Sequence, residues 1–275
     1  MKCGALKKSA YILLAFMLLV NMSGCGVWGR RSRSITYNLR NKPDSIDPAV
    51  AASNWGGDVI LASFEGLMKL DRNSRAIPGI ASSYTKDSDI KYTFHLRNAK
   101  WSDGRPVYAE DFEYAWKRAL SPETGGEYAY MLYYLKNGEA YNKGSAPSAD
   151  VGVRATDHNT LEVTLESPTP YFLDMLSYPS YMPVRRDIIY AYEGGWTADP
   201  SSYVGNGPFR LVSISPDGSL EFVRNKKYYD VSKVRIDKLK FTVIEDAQTY
   251  FTAWEDGDVD VIDSPPTAAV SGSSV

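Results

Sequence analysis

Short runs of alternating apolar and polar residues recur along this chain, separated by helical stripes that follow no fixed order. In residues 34–39, Ile35, Tyr37 and Leu39 share one face; in residues 92–97, Tyr92, Phe94 and Leu96 oppose Thr93, His95 and Arg97. A period of two is that of a strand with one buried face. Residues 151–155 and 160–166 alternate on either side of Thr156-Asp157-His158-Asn159, which predicts a hairpin. Residues 220–223, 238–244 and 259–262 predict further strands. Helical spacing appears at 109–120, where Phe112, Ala115, Trp116, Ala119 and Leu120 fall on one stripe. Glu110 and Asp111 complement the dipole of its first turn, and Pro122 marks its end. Residues 247–256 predict a second helix, capped by Asp246 and stopped by Gly257, and residues 58–67 a third. Gly56-Gly57 and Gly194-Gly195 read as turns. With 275 residues the chain can bury a real core. Strands and helices mixed without βαβ alternation predict an α+β (mixed α/β) fold rather than a doubly wound sheet.

That fold is expected to start after the first 34 residues. Lys2, Lys7 and Lys8 precede the apolar run at residues 10–20, and Ser23 and Gly24 then precede Cys25. This is the layout of a secretory signal peptide over residues 1–24, and eleven apolar residues are too few to span a bilayer. Met22-Ser23-Gly24-Cys25 resembles the lipobox of bacterial lipoproteins, with Met in place of the usual Leu. The resemblance implies that Cys25 becomes the N-terminus and carries lipid. The product would be exported and anchored in the bilayer, on the outer face of the cytoplasmic membrane or the periplasmic side. Residues 25–34 are then a tether, in which Arg30, Arg31 and Arg33 are expected to be solvated.

Chemistry-bearing residues are sparse. The two cysteines are Cys3, inside the signal, and Cys25, so no thiol remains for a disulfide, metal or nucleophile. The two histidines, His95 and His158, fall on a polar strand face and in a turn. Asp256, Asp258 and Asp260 alternate around Gly257 but lack the later bidentate Glu of a calcium loop. No catalytic set, metal or cofactor is expected, so an exported peptidase or chaperone is the weaker alternative. The net charge of −2 becomes −5 without residues 1–24, which hold three lysines and no acid. That balance argues against nucleic acid as a partner. Aromatic residues make up 13% of the chain, with Tyr128, Tyr130, Tyr133, Tyr134 and Tyr141 close together. Tyrosine gives apolar contact with a polar tip, which suits ligands of varied shape.

Ten short segments, in order, resemble the oligopeptide- and dipeptide-binding proteins of bacterial ABC importers, extracellular solute-binding family 5. They are S-I-D-P at 45–48, F-E-G-L at 64–67, P-G-I-A at 78–81, Y-T-F-H-L-R at 92–97 and K-W-S-D-G-R-P-V at 100–107. A-E-D-F at 109–112 with W-K-R at 116–118, L-E-V-T-L at 161–165, P-Y-F at 170–172, N-G-P-F at 206–209 and I-E-D at 244–246 follow. The family usually has Thr where this chain has Tyr108, so a helix cap is expected to be lost.

The resemblance implies a periplasmic-binding-protein-like type II architecture, of which this chain matches the first lobe and an extra small subdomain, without the second lobe. Residues 35–70 and 195–262 would form the discontinuous lobe, residues 71–194 the inserted subdomain, and 263–275 a disordered tail. It further implies oligopeptide ligands, delivery to membrane permease subunits, and domain closure in full-length relatives. Ala52, Ser53 and Asn54 would be the extended segment that pairs with a peptide backbone, and Tyr128 an aromatic contact. With one lobe matched, tight peptide binding by this chain alone is not expected, and a binding-impaired fragment with an exposed sheet edge is the alternative.

Overall fold

Three sheets and three longer helices organise the computed structural model, which describes residues 33–192 and 195–266. Cys25, the signal, most of the tether, Gly194 and residues 267–275 lie outside the described residues. In chain order the elements are β1 (Ser34–Asn38), α1 (Asn54–Ser63), β2 (Met68–Leu70), β3 (Ala76–Pro78), β4 (Ala81–Lys86), β5 (Lys91–Leu96) and α2 (Ala109–Leu120). Then come β6 (Val153–Asp157), β7 (Thr160–Thr164), β8 (Phe209–Ile214), β9 (Leu220–Arg224), β10 (Lys238–Thr242), α3 (Ala247–Glu255) and β11 (Val261–Ile262).

Both ends of the chain build the five-stranded sheet, in the order β11-β1-β10-β9-β8. Strand β1 is parallel to β10, from Ser34 beside Lys238 to Asn38 beside Thr242, and parallel to β11 on its other side. The β8-β9-β10 ribbon is antiparallel. Alternation put Asn38 on the polar face of β1, yet it is fully buried. Its side chain pairs with the backbone of Ile244, donating at 3.0 Å and accepting at 2.8 Å. That reciprocal pair replaces the water the amide would otherwise need.

The middle of the chain forms the antiparallel sheet β4-β5-β7-β6, against which α2 packs. The hairpin turn between β6 and β7 is shorter than expected, because Asp157 still pairs with Thr160 and only His158 and Asn159 turn. Helix α2 has the limits its stripe predicts. Tyr108 makes no side-chain cap bond, as expected, but Asp111 compensates by accepting the Tyr108 amide at 2.9 Å and Trp101 Nε1 at 3.1 Å. Burial pushes the Asp111 carboxyl up to about 6, against the pull of those two bonds.

Helix α1 starts four residues earlier than expected and contains both Gly56 and Gly57, which is a correction to the turn reading. Ser53 caps it, its hydroxyl accepting the Gly56 amide at 3.1 Å. Gly56 is there for clearance: a Cβ would sit 2.3 Å from the Ser45 carbonyl oxygen.

The recurring motifs turn out to be packing devices. Asp47 of S-I-D-P receives a bidentate contact from Arg118 of W-K-R, at 2.8 and 2.6 Å, together with Trp196 Nε1 at 3.1 Å. Glu65 of F-E-G-L is buried and accepts the hydroxyls of Tyr228 and Tyr229, the latter at 2.6 Å. Asn206 of N-G-P-F brackets the Glu65 backbone, accepting its amide and donating to its carbonyl at 2.9 Å each. Phe64 packs edge-on against Trp101, Trp196 and Tyr203 at the centre of the core.

Candidate functional site

Beside α1 lies an open concavity of about 500 Å³. Ala52, Ser53, Asn54 and Tyr128, the four residues singled out by resemblance, all line it. They reach it from different elements: the first three from the N-terminal end of α1, and Tyr128 from the turn of 3₁₀ helix at Glu127–Leu132. Tyr128 is 39% exposed, so its ring faces the opening.

Much of the backbone at residues 52–54 is already bonded within the chain. Asp44 accepts the amides of Ala52 at 2.7 Å and Ser53 at 3.1 Å, and also the Ser53 hydroxyl. Burial works against that carboxylate, but these bonds outweigh it and hold Asp44 below the usual carboxylate range. The Ser53 carbonyl accepts the Gly57 amide at 3.1 Å. Among the described residues the Ala52 carbonyl, the Asn54 amide and the side chains of Asn54 and Tyr128 make no hydrogen bond. The segment therefore offers one carbonyl and one amide to a ligand, fewer than an open strand edge would.

Sequence reasoning missed the charged part of the wall. Asp58 and Asp263 both line the concavity and share the hydroxyl of Tyr37, at 3.2 Å from Asp58. Burial raises the Tyr37 hydroxyl strongly, with Asp263 and Asp58 adding to it. Burial also raises the Asp58 carboxyl, and Asp263 adds to this against the Tyr37 hydrogen bond. Asp58 was legible: Asn54, Gly57, Asp58 and Leu61 follow the i, i+3, i+4, i+7 spacing of one helix face, and all four line the concavity. Asp263 was not, because it stood in the segment expected to be disordered. Instead it contacts Tyr37, while the neighbouring Ser264 carbonyl accepts the Tyr250 hydroxyl at 2.8 Å.

The tyrosine cluster divides between this concavity and the next. Met131 and Tyr178 line both the first and a second concavity of about 570 Å³, whose wall includes Tyr130, Tyr133, Tyr134 and Tyr171. Tyr141 packs against the core instead. His95 and His158 are exposed, and His158 stacks on Tyr108 with ring centres 4.4 Å apart. Asp260 receives the Thr36 amide at 2.7 Å, which accounts for one of the three alternating acids at 256–260. Cys25 lies outside the described residues.

Residues 75–272 match the family described as bacterial extracellular solute-binding proteins, family 5 Middle. The dipeptide-binding protein DppE of Bacillus subtilis is 39% identical over 225 residues, which are 81% of this chain and 41% of DppE. The oligopeptide-binding protein OppA of the same organism is 34% identical over 267 residues, 92% of this chain and 49% of OppA. The solved structure of Burkholderia pseudomallei OppA superposes with a TM-score of 0.85 at 32% identity, covering 88% of this chain and 48% of that one. The chain thus spans about half the length of the curated relatives it matches. The architecture is that of OppA-like periplasmic binding proteins, over about half of it. The chain belongs to the bacterial extracellular solute-binding proteins of family 5.

Proposed function

We propose that this chain supplies one wall of the peptide-capturing site of an exported binding protein that serves an ABC importer. The observation that carries this reading is the convergence of Ala52, Ser53, Asn54 and Tyr128 on one concavity, in a chain whose relatives are named for dipeptides and oligopeptides. The free Ala52 carbonyl and Asn54 amide address the backbone of a ligand, which tolerates any side chain. Tyr128, Tyr178 and Met131 offer adaptable apolar contact. Asp58 and Asp263 favour a cationic group, so a free peptide N-terminus or a basic side chain belongs on that side. Export through residues 1–24, acylation of Cys25 and delivery of peptide to permease subunits complete the proposal.

Amide NMR of the mature chain, titrated with tri- to pentapeptides up to millimolar concentration, tests it. Shifts confined to residues 51–58 and around Tyr128 are expected, weakened by Tyr128→Ala. No shift with any peptide, or shifts only elsewhere, refutes the reading. Mass spectrometry of the exported chain tests acylation at Cys25 separately.

A further inference from the structure

The five-stranded sheet gathers cations at one end of its strands. At the end where β1 and β10 begin stand Arg33, Arg210, Arg224, Lys226, Lys227 and Lys238. Strand pairing forces this grouping, because Lys238 opposes Val223, Val223 opposes Arg210, and Asp237 contacts Arg33. Four of these cations, Arg210, Arg224, Lys226 and Lys227, line a concavity of about 470 Å³ together with Ser102 and Asp237. Arg224 is held by Asp237 and by the Val234 carbonyl at 3.0 Å. Among the described residues, the side chains of Arg210, Lys226 and Lys227 have no ion pair or hydrogen bond, and all three are exposed. The acids at this end, Asp237 and Asp230, are engaged with Arg224 and Lys233. The other end of the same strands is mixed: Asp58 and Asp263 sit beside Tyr37 and Asp246 caps α3 just beyond β10, while Arg40 and Lys42 follow β1.

The tether enters the fold at the basic end. From Cys25 to Arg33 is eight residues, which span at most about 28 Å fully extended. Residues acylated at Cys25 would therefore keep the start of β1 within that distance of the bilayer. We infer that the basic concavity at Arg210, Lys226 and Lys227 is a docking surface for anionic lipid head groups. Docked there, the sheet stands with its basic end on the membrane and its acid-lined concavity facing outward. Arg33, which opens the pairing of β1 with β10, stands at this same end, and the role of the basic surface is orientation rather than anchorage. The biological setting rests on the acylation proposed above, but the surface itself does not.

The mature chain carrying Cys25→Ser separates the two. Removing residues 1–24 leaves the unit that begins at Arg33 whole. Co-sedimentation with phosphatidylglycerol-containing vesicles at low salt is expected, with none on pure phosphatidylcholine and loss at 0.5 M NaCl. Each basic residue near such a surface is worth about fivefold, so Arg210→Gln/Lys226→Gln/Lys227→Gln lowers binding on the order of a hundredfold. A control triple with the same loss of charge, Arg75→Gln/Lys86→Gln/Lys143→Gln, leaves it within about threefold. Both triples are checked for native melting. Hydrogen exchange on the vesicles is expected to slow at residues 224–227 and not at 51–58. Equal loss in the two triples, or binding to neutral vesicles, overturns the inference, as does no binding at all. Vesicle binding that meets these criteria with an unmodified Cys25 in the exported chain upholds the surface and refutes the anchor alone.

Discussion

Arg118→Ala probes the buried node that joins two of the motifs. The Arg118 and Asp47 side chains are only 16% and 8% exposed. Burial disfavours the Arg118 charge, but the hydrogen bonds and charge of Asp47 outweigh it and raise the guanidinium. Four donors surround the Asp47 carboxylate: two from Arg118, one from Trp196 Nε1 and one from the Ala49 amide. The variant leaves two donors and a charge without its counterion, which typically costs about 3–5 kcal/mol. The electrostatic loss is therefore expected near 3–4 kcal/mol. The arginine stem also packs, and that loss adds to it. Arg118→Met keeps most of the stem without the charge, so it should restore only the packing part and still lose about 3 kcal/mol. Urea unfolding followed by fluorescence reads this directly, since Trp116 and Trp196 are both buried close by. An Arg118→Met variant within about 1 kcal/mol of the parent would refute the reasoning and leave only a packing role.

Asp111→Asn tests a carboxyl with the opposite tendency. Because folding raises Asp111 to about 6, its contribution to stability falls as pH rises from about 4 to 6 and stays low above that. The amide keeps an acceptor for Tyr108 and Trp101 without the charge, so the variant should gain about 1–3 kcal/mol relative to the parent between pH 4 and pH 7. A parallel pair of stability profiles counts against this. Gly207→Ala places a Cβ 2.6 Å from the Phe64 amide nitrogen, within backbone rather than beside a movable side chain. A loss of about 2–4 kcal/mol in chemical denaturation is expected, and a neutral result would mean the two segments separate freely. Tyr37→Phe removes the hydroxyl that opposes the rise at Asp58. Carbon-detected NMR titration should show Asp58 higher in the variant than in the parent, and an unchanged or lower value is the refuting outcome.

Helix α2 was legible to the residue because stripe, acidic first turn and trailing proline agree. Helix α1 was not, since two adjacent glycines imitate a turn; only the neighbouring Ser45 carbonyl explains why Gly56 is needed there. Strand β4 gave no signal because only Ala81 of its six residues is buried, so no alternation was written. Of the site, the neutral half was reachable through resemblance, Asp58 only through helical spacing, and Asp263 not at all. Asp58 and Asp263 are 205 positions apart in sequence, and the parallel pairing of Tyr37 with Val261 brings them to one wall. Most of the motifs that carried the resemblance hold the core together. They identify the scaffold and say little about what the concavity accepts.

Strand β1 precedes the other described elements, yet its neighbours β10 and β11 come from residues 238–242 and 261–262. Arg33 and Asp237, where the pairing opens, lie 204 residues apart. A chain emerging from a pore N-terminus first has no partner for β1 until more than two hundred residues have followed. Closing so long a loop is slow, and it places the completion of this sheet after that of the local hairpins. Until then the leading segment stays extended and threadable, while the hairpins between β4 and β7 already have all their partners in hand.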